Sequence, residues 1–152
     1  MEKRNRIICL AILFAAVLGL SCDIAESNAG DRFVVSKDNT VLDSETGLMW
    51  ANEDNGVNSN WEAAKSYCET YSAGGYTNWR MPTLEELGTI FDKNSDKRFM
   101  TYSAITLSGP CPWSSNTRKN RARTIFFMGG EANTFSKRAK NGFRALPVRD
   151  AK

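Results

Sequence analysis

In Gly75-Tyr76-Thr77-Asn78-Trp79-Arg80-Met81-Pro82-Thr83-Leu84-Glu85-Glu86-Leu87 a glycine turn, a tryptophan, an arginine and a proline run directly into a helix start. Pro82 disfavours helical backbone at Met81, so the chain leading into it reads as extended. Thr83, followed three residues later by Glu86, makes a capping box, and Leu84, Leu87 and Phe91 then recur on one helical face. Trp79 is assigned to the core. Arg80 is assigned to a bridge between strand and helix, because a planar guanidinium there can hold nearby carboxylates or carbonyls.

Upstream, Ser59-Asn60-Trp61-Glu62 predicts another helix, with Ser59 and Glu62 as the reciprocal cap. Trp61, Ala64 and Cys68 share its buried face, and Ala73-Gly74-Gly75 ends it. Before that helix, Val41-Leu42 and Leu48-Met49-Trp50 flank Asp43-Ser44-Glu45-Thr46-Gly47, a hairpin turn in which Asp43 bonds local backbone and Gly47 takes positive φ. Trp50 belongs to the core, and Phe33-Val34-Val35 begins the first strand.

Downstream of residue 100 the helical period disappears. Strands are predicted at Ser103 to Leu107, Trp113 to Ser115, Thr124 to Met128, Asn133 to Ser136 and Gly142 to Arg149, with Gly129-Gly130 as a turn. Two early helices followed by a run of strands is an α+β order, which argues against a doubly wound parallel sheet, whose helices and strands must alternate.

The chain has 152 residues, 41% apolar and 24% charged, the balance of one globular domain. It contains no histidine, which removes Ser-His-Asp triads, Cys-His nucleophiles and histidine zinc sites. Asp92-Lys93-Asn94-Ser95-Asp96 alternates acids like a calcium loop, but Lys97 stands where glycine is needed and Ser103 where glutamate is needed. No metal site, cofactor or catalytic constellation is expected, and the chain reads as a non-enzyme.

Lys3, Arg4 and Arg6 precede an uncharged apolar run from Ile7 to Leu20, the pattern of an export signal over residues 1–21. Leu18-Gly19-Leu20-Ser21-Cys22 resembles a bacterial lipobox, which makes Cys22 a lipidated first residue. Residues 22–31 are then a polar tether and 32–152 the folded domain. The alternative is cleavage after Ser27-Asn28-Ala29, leaving a soluble periplasmic or secreted protein. Either way the domain is expected outside the cytosol, facing the periplasm or cell surface.

In that oxidising compartment Cys68 and Cys111, the thiols left to the domain, are candidates for a disulfide closing a loop of about 43 residues, worth roughly 4 kcal/mol. Two separately buried thiols are the other reading. Charge is segregated: residues 22–110 carry 7 Lys/Arg against 14 Asp/Glu, and residues 111–152 carry 10 against 2. The basic half either neutralises the acidic half or meets a polyanion such as an acidic glycan, lipopolysaccharide or phospholipid headgroups. Nucleic acid is a poor partner outside the cytoplasm.

The motifs occur in a specific order: Asp43 to Trp50, Trp61-Glu62-Ala63-Ala64 leading to Cys68, Gly75 to Leu87, Trp113-Ser114-Ser115, and Arg144 to Arg149. Together they resemble the family containing the C-terminal domain of the Legionella collagen-like protein, long catalogued as a domain of unknown function, over residues 32 to 150. The resemblance implies a compact C-type-lectin-like α+β domain, with two helices packed on irregular antiparallel strands. Met81 stands where leucine is usual, and Pro147 where many members carry the cysteine that would partner Cys68, which leaves Cys111 as the alternative. The characterised member is an adhesin for sulfated polysaccharides.

Function is therefore expected to be recognition of an acidic polysaccharide or envelope polymer by Arg118, Lys119, Arg121, Arg123, Lys137, Arg138, Lys140 and Arg144, with Trp113 or Phe143 stacking on sugar faces. The alternative is an envelope adaptor or oligomerisation module contacting another protein. A formylglycine-generating-like enzyme is a more distant reading, because its chemistry, as the resemblance implies, needs a reactive cysteine pair at copper.

Overall fold

The structure, a computed structural model, describes residues 31–152. The predicted export signal, the lipidation site Cys22 and all of the tether except Asp31 lie outside the described residues. Among the described residues there are eight strands and two helices. Chain order is β1 (Phe33–Val35), β2 (Thr40–Asp43), β3 (Leu48–Ala51), α1 (Trp61–Thr70), α2 (Leu84–Thr89), β4 (Cys111–Arg118), β5 (Arg121–Phe126), β6 (Glu131–Ser136), β7 (Phe143–Arg144) and β8 (Val148–Asp150). The fold is mixed α/β and mostly β, in two four-stranded sheets ordered β1-β2-β3-β8 and β6-β5-β4-β7. Every strand pair is antiparallel except β4 with β7, which is parallel.

The β2–β3 hairpin forms where the turn residues lie. Gly47 takes φ of +69°, its amide donates to the Asp43 carbonyl, and the Asp43 carboxylate accepts from the Glu45 amide. The last strand arrives from the far end of the chain and pairs Trp50 with Val148. Val41, Trp50, Leu87, Ile125, Phe127 and Leu146 then share one buried cluster that joins both sheets to α2. Trp61, Ala64, Cys68, Trp113, Ala122 and Phe143 belong to a second, between α1 and the β4–β5–β7 side.

Helix α2 carries the capping box of Thr83 and Glu86, both halves bonded. At α1 the cap differs from expectation. Asn60, not Ser59, is the N-cap and accepts from the Ala63 amide. Ser59 is buried, with its hydroxyl between Asn55 Nδ2 and the Val57 carbonyl. The spacing that suggested a Ser–Glu box was one residue out of register with the helix.

Two expected strands do not form as drawn. Around Ser103 to Leu107 the carbonyls of Ser103 and Ile105 accept from Lys97 Nζ at 3.0 and 2.8 Å, and Ile105 also from Thr101 Oγ1. Those oxygens are committed to an ammonium and a hydroxyl, so only an isolated bridge, Glu53 to Thr106, remains. Lys97, which spoils the calcium-like loop, is itself the cation there. The strand expected from Gly142 to Arg149 is split into β7 and β8, since Pro147 has no amide to donate.

The expected bridge between Cys68 and Cys111 is absent. Both are free, buried thiols in the second cluster. Burial in this apolar setting pushes Cys68 up to about 12 and Cys111 up to about 11.

Candidate functional site

The Gly75 to Leu87 stretch holds one end of the β4–β5 hairpin. The Arg80 backbone bonds Val148 in both directions, at 2.8 and 3.0 Å, and thereby docks this stretch onto the first sheet. The Arg80 guanidinium makes paired bonds of 2.8 and 2.7 Å to Glu86 and reaches Asp150 at 3.2 Å. Burial alone would raise the Glu86 carboxyl, but Arg80 and the Thr83 amide outweigh it and hold it below the usual range. From this fixed base the Pro82 carbonyl accepts the Ser115 amide at 2.8 Å, and Asn116 Oδ1 accepts the Leu84 amide at 2.7 Å. Trp61 Nε1 donates to the Ser114 carbonyl from the α1 side. Strand β4 is thus pinned at three successive residues just before its basic end.

Beyond the pins the hairpin carries its arginines on one face. Residues directly opposite in an antiparallel ladder lie on the same face, and Arg118 pairs with Arg121, Arg121 with Ser136, and Arg123 with Thr134. The first four residues of β5 alternate: Arg121 and Arg123 are exposed, while Ala122 and Thr124 are buried. An open groove of about 820 Å³ lies on this outer face, lined among others by Asn116, Arg118, Lys119, Arg121, Arg123 and Thr134, with no carboxylate in its wall. Arg121 Nη2 is steadied by the Thr134 carbonyl at 2.7 Å. Among the described residues none of these four cations has an ion-pair partner.

Two local features oppose stability here. Arg118 faces Arg121 directly across the ladder, a like-charge pair that weakens a sheet. Lys119 turns the hairpin with φ of +56°, a left-handed conformation that a lysine adopts at a cost. Local rules of this kind tend to be broken where a surface serves a ligand.

The other expected ligand contacts separate. Trp113 is a correction: it is fully buried, stacks on Phe143 at 4.2 Å, and donates from Nε1 to the Ser59 carbonyl, so neither ring faces a ligand. The aromatic reading failed because a core tryptophan and a sugar-stacking one look alike in sequence. Arg144 is also a correction. Its guanidinium is spent on Ser108 and Asn58 and lies 4.0 Å from the buried Asp54 carboxylate, so it staples two loops. Lys140 is exposed and does not line the groove. Lys137 and Arg138 line a second depression next to the first, with Lys137 Nζ 4.0 Å over the Trp61 ring. Asn116, Thr117, Asn120 and Thr134 line the groove without having been singled out; the polar and basic run from Asn116 to Arg123 was the signal available for the first three, and nothing marked Thr134.

The residues assigned structural roles are where the core and turns need them. Trp50, Trp61 and Trp79 are buried, and Trp79 packs edge-on against Tyr71 at 5.0 Å. Asp43 is fully buried, bonded by Arg32 at 2.8 and 2.7 Å. Thr46 Oγ1 accepts the Leu48 amide.

Fold and groove together define a mostly β, two-sheet α/β domain with a basic outer hairpin face. Residues 39–149 match the Lcl C-terminal domain, and the chain belongs to that family. No curated protein matches the chain.

Proposed function

We propose that this chain is a non-catalytic, exported envelope lipoprotein whose domain, on a C-type-lectin-like frame, binds an acidic glycan or other envelope polyanion. The observation that carries this reading is the gathering of Arg118, Lys119, Arg121 and Arg123 around one open groove that contains no carboxylate. Three of the four are arginines, whose planar forks match sulfate, phosphate and carboxylate bidentately. Anchoring through Cys22 would hold this face within reach of envelope polymers. Full-length chain in non-ionic detergent, applied to an immobilised sulfated glycan, should be retained at low salt. Retention should fall steeply as the screening length drops from about 10 Å at 0.1 M to about 3 Å at 1 M salt. Arg121→Ser combined with Arg123→Ser should abolish it. A flat salt response, or undiminished retention by the double variant, overturns the reading.

A second reading, an adaptor contacting another protein, is favoured by one feature. Strand β6 is a sheet edge exposed along most of its length, with Phe135 open to solvent. Crosslinking with mass spectrometry separates the two, because a specific protein partner without glycan retention supports the adaptor.

A further inference from the structure

The depression beside the groove is not an independent hollow. It measures about 390 Å³, is lined by Asn60, Glu62, Asn120, Ser136, Lys137 and Arg138, and shares Asn120 at the hairpin tip with the larger groove. Its floor is rigid. The Lys137 amide donates to the Asn120 carbonyl at 2.9 Å, and the Lys137 carbonyl accepts the Trp61 amide at 3.0 Å, so the end of β6 ties the hairpin tip to the start of α1. The Lys137 side chain is held over Trp61, and Arg138 is exposed. Ser136, which lies in this wall, sits directly opposite Arg121 of the groove. Positive groups therefore run from Arg123 along β5 to the tip and resume, past the uncharged Asn120 that both hollows share, with Arg138 and Lys137.

From this continuity we propose that the second depression is a further anion subsite, and that the ligand is a linear polyanion crossing the hairpin tip from one basin into the other, with consecutive charged groups in each. This rests on the polyanion reading of the first groove. A compact single anion would occupy the groove alone, because Asn120, an uncharged residue, separates the two sets of cations. The subsite has one internal marker: Glu62, the single carboxylate in its wall, faces the incoming anion with the wrong sign. Its place in the first turn of α1 is favourable to the helix, which gives it a reason to be there independent of the ligand.

The test compares a sulfated heparin disaccharide with a sulfated heparin octasaccharide by calorimetry, using the full-length chain in non-ionic detergent at fixed salt. Lys137→Ala with Arg138→Ala should weaken octasaccharide binding about tenfold and leave the disaccharide unchanged. Arg138→Ala alone, which leaves the Trp61 contact intact, should produce a smaller loss of the same kind. Glu62→Gln should strengthen the octasaccharide about two- to threefold and leave the disaccharide unchanged, a gain that a folding defect cannot imitate. Equal effects on both probes, or none on either, overturn the second subsite while the first groove stands. Failure of the unaltered chain to bind either probe overturns both.

Discussion

Asp43 keeps a carboxylate where no solvent reaches it, and everything around it is arranged to keep it charged. Burial alone would raise its pKa. The paired bonds from Arg32, the Thr46 hydroxyl and the Glu45 amide outweigh that cost and leave it below the usual carboxylate value. A depressed folded-state pKa stabilises the fold above the unfolded value of about 3.9, and that stability drains away as pH falls through the folded value. Asp43→Asn should therefore destabilise the protein by about 3 kcal/mol at neutral pH, since Arg32 loses its buried charge partner and keeps only the exposed Glu45, and should flatten the acid limb of a plot of stability against pH. Denaturant titrations between pH 2 and pH 7 check this; an acid limb as steep as that of the unaltered chain would refute it. The two thiols offer a second test at this scale. With Cys68 and Cys111 pushed up by burial to about 12 and about 11, neither should react with a thiol reagent at pH 8 in the native state, and both should react once denaturant is added. Rapid native labelling of either would contradict the free, buried geometry.

Among the elements, the β4–β5 hairpin depends most on a distant stretch of chain. Asn116 caps α2 from outside by accepting the Leu84 amide, so the basic hairpin and the Pro82–Thr83 turn hold each other. Asn116→Ala leaves Leu84 without that acceptor and should cost about 1 kcal/mol, while amide exchange rises locally in β4 and β5 rather than in β2 and β3. Uniform exchange across both sheets would show that the pin is not local. This coupling was not legible in the sequence, because 32 residues separate the partners and the helical period that contains Leu84 says nothing of what its amide meets. What was legible had a local cause. Thr83 and Glu86 meet within one helical turn, Gly47 must take positive φ, and the β2–β3 register follows from that turn. The failures lack such a pattern. Lys97 draws away carbonyls six and eight residues along by side-chain bonds that no period marks, Asn60 displaces Ser59 as cap by a shift of one residue, and Trp113 buries itself against a Phe143 distant in sequence.

Across the whole molecule, the segregation of charge that the overall composition conceals becomes a surface with a cost. The last 42 residues carry 10 Lys/Arg against 2 Asp/Glu. Arg144 is absorbed by Ser108, Asn58 and the neighbouring Asp54, whereas Arg118, Lys119, Arg121 and Arg123 face one another around open solvent. Neutralisation by the acidic half was one sequence reading; it holds for Arg144 and not for the hairpin. A fold that keeps unpaired like charges together in its free form should gain stability when the charge is removed, screened or matched. Arg118→Thr relieves the cross-strand pair with Arg121 and places a strand-favouring residue there, so the melting temperature of the free protein at low salt should rise by about 2 °C. Added salt should narrow the difference between variant and unaltered chain, because screening does part of what the substitution does. A sulfated polymer should reverse the order, raising the melting temperature of the unaltered chain more than that of the variant, since ligand that binds only the folded form stabilises in proportion to its affinity. Thermal scans of both chains at two salt concentrations, with and without polymer, decide it. A variant that melts lower when free, or that gains as much from polymer as the unaltered chain, would mean that Arg118 serves the fold and not the groove.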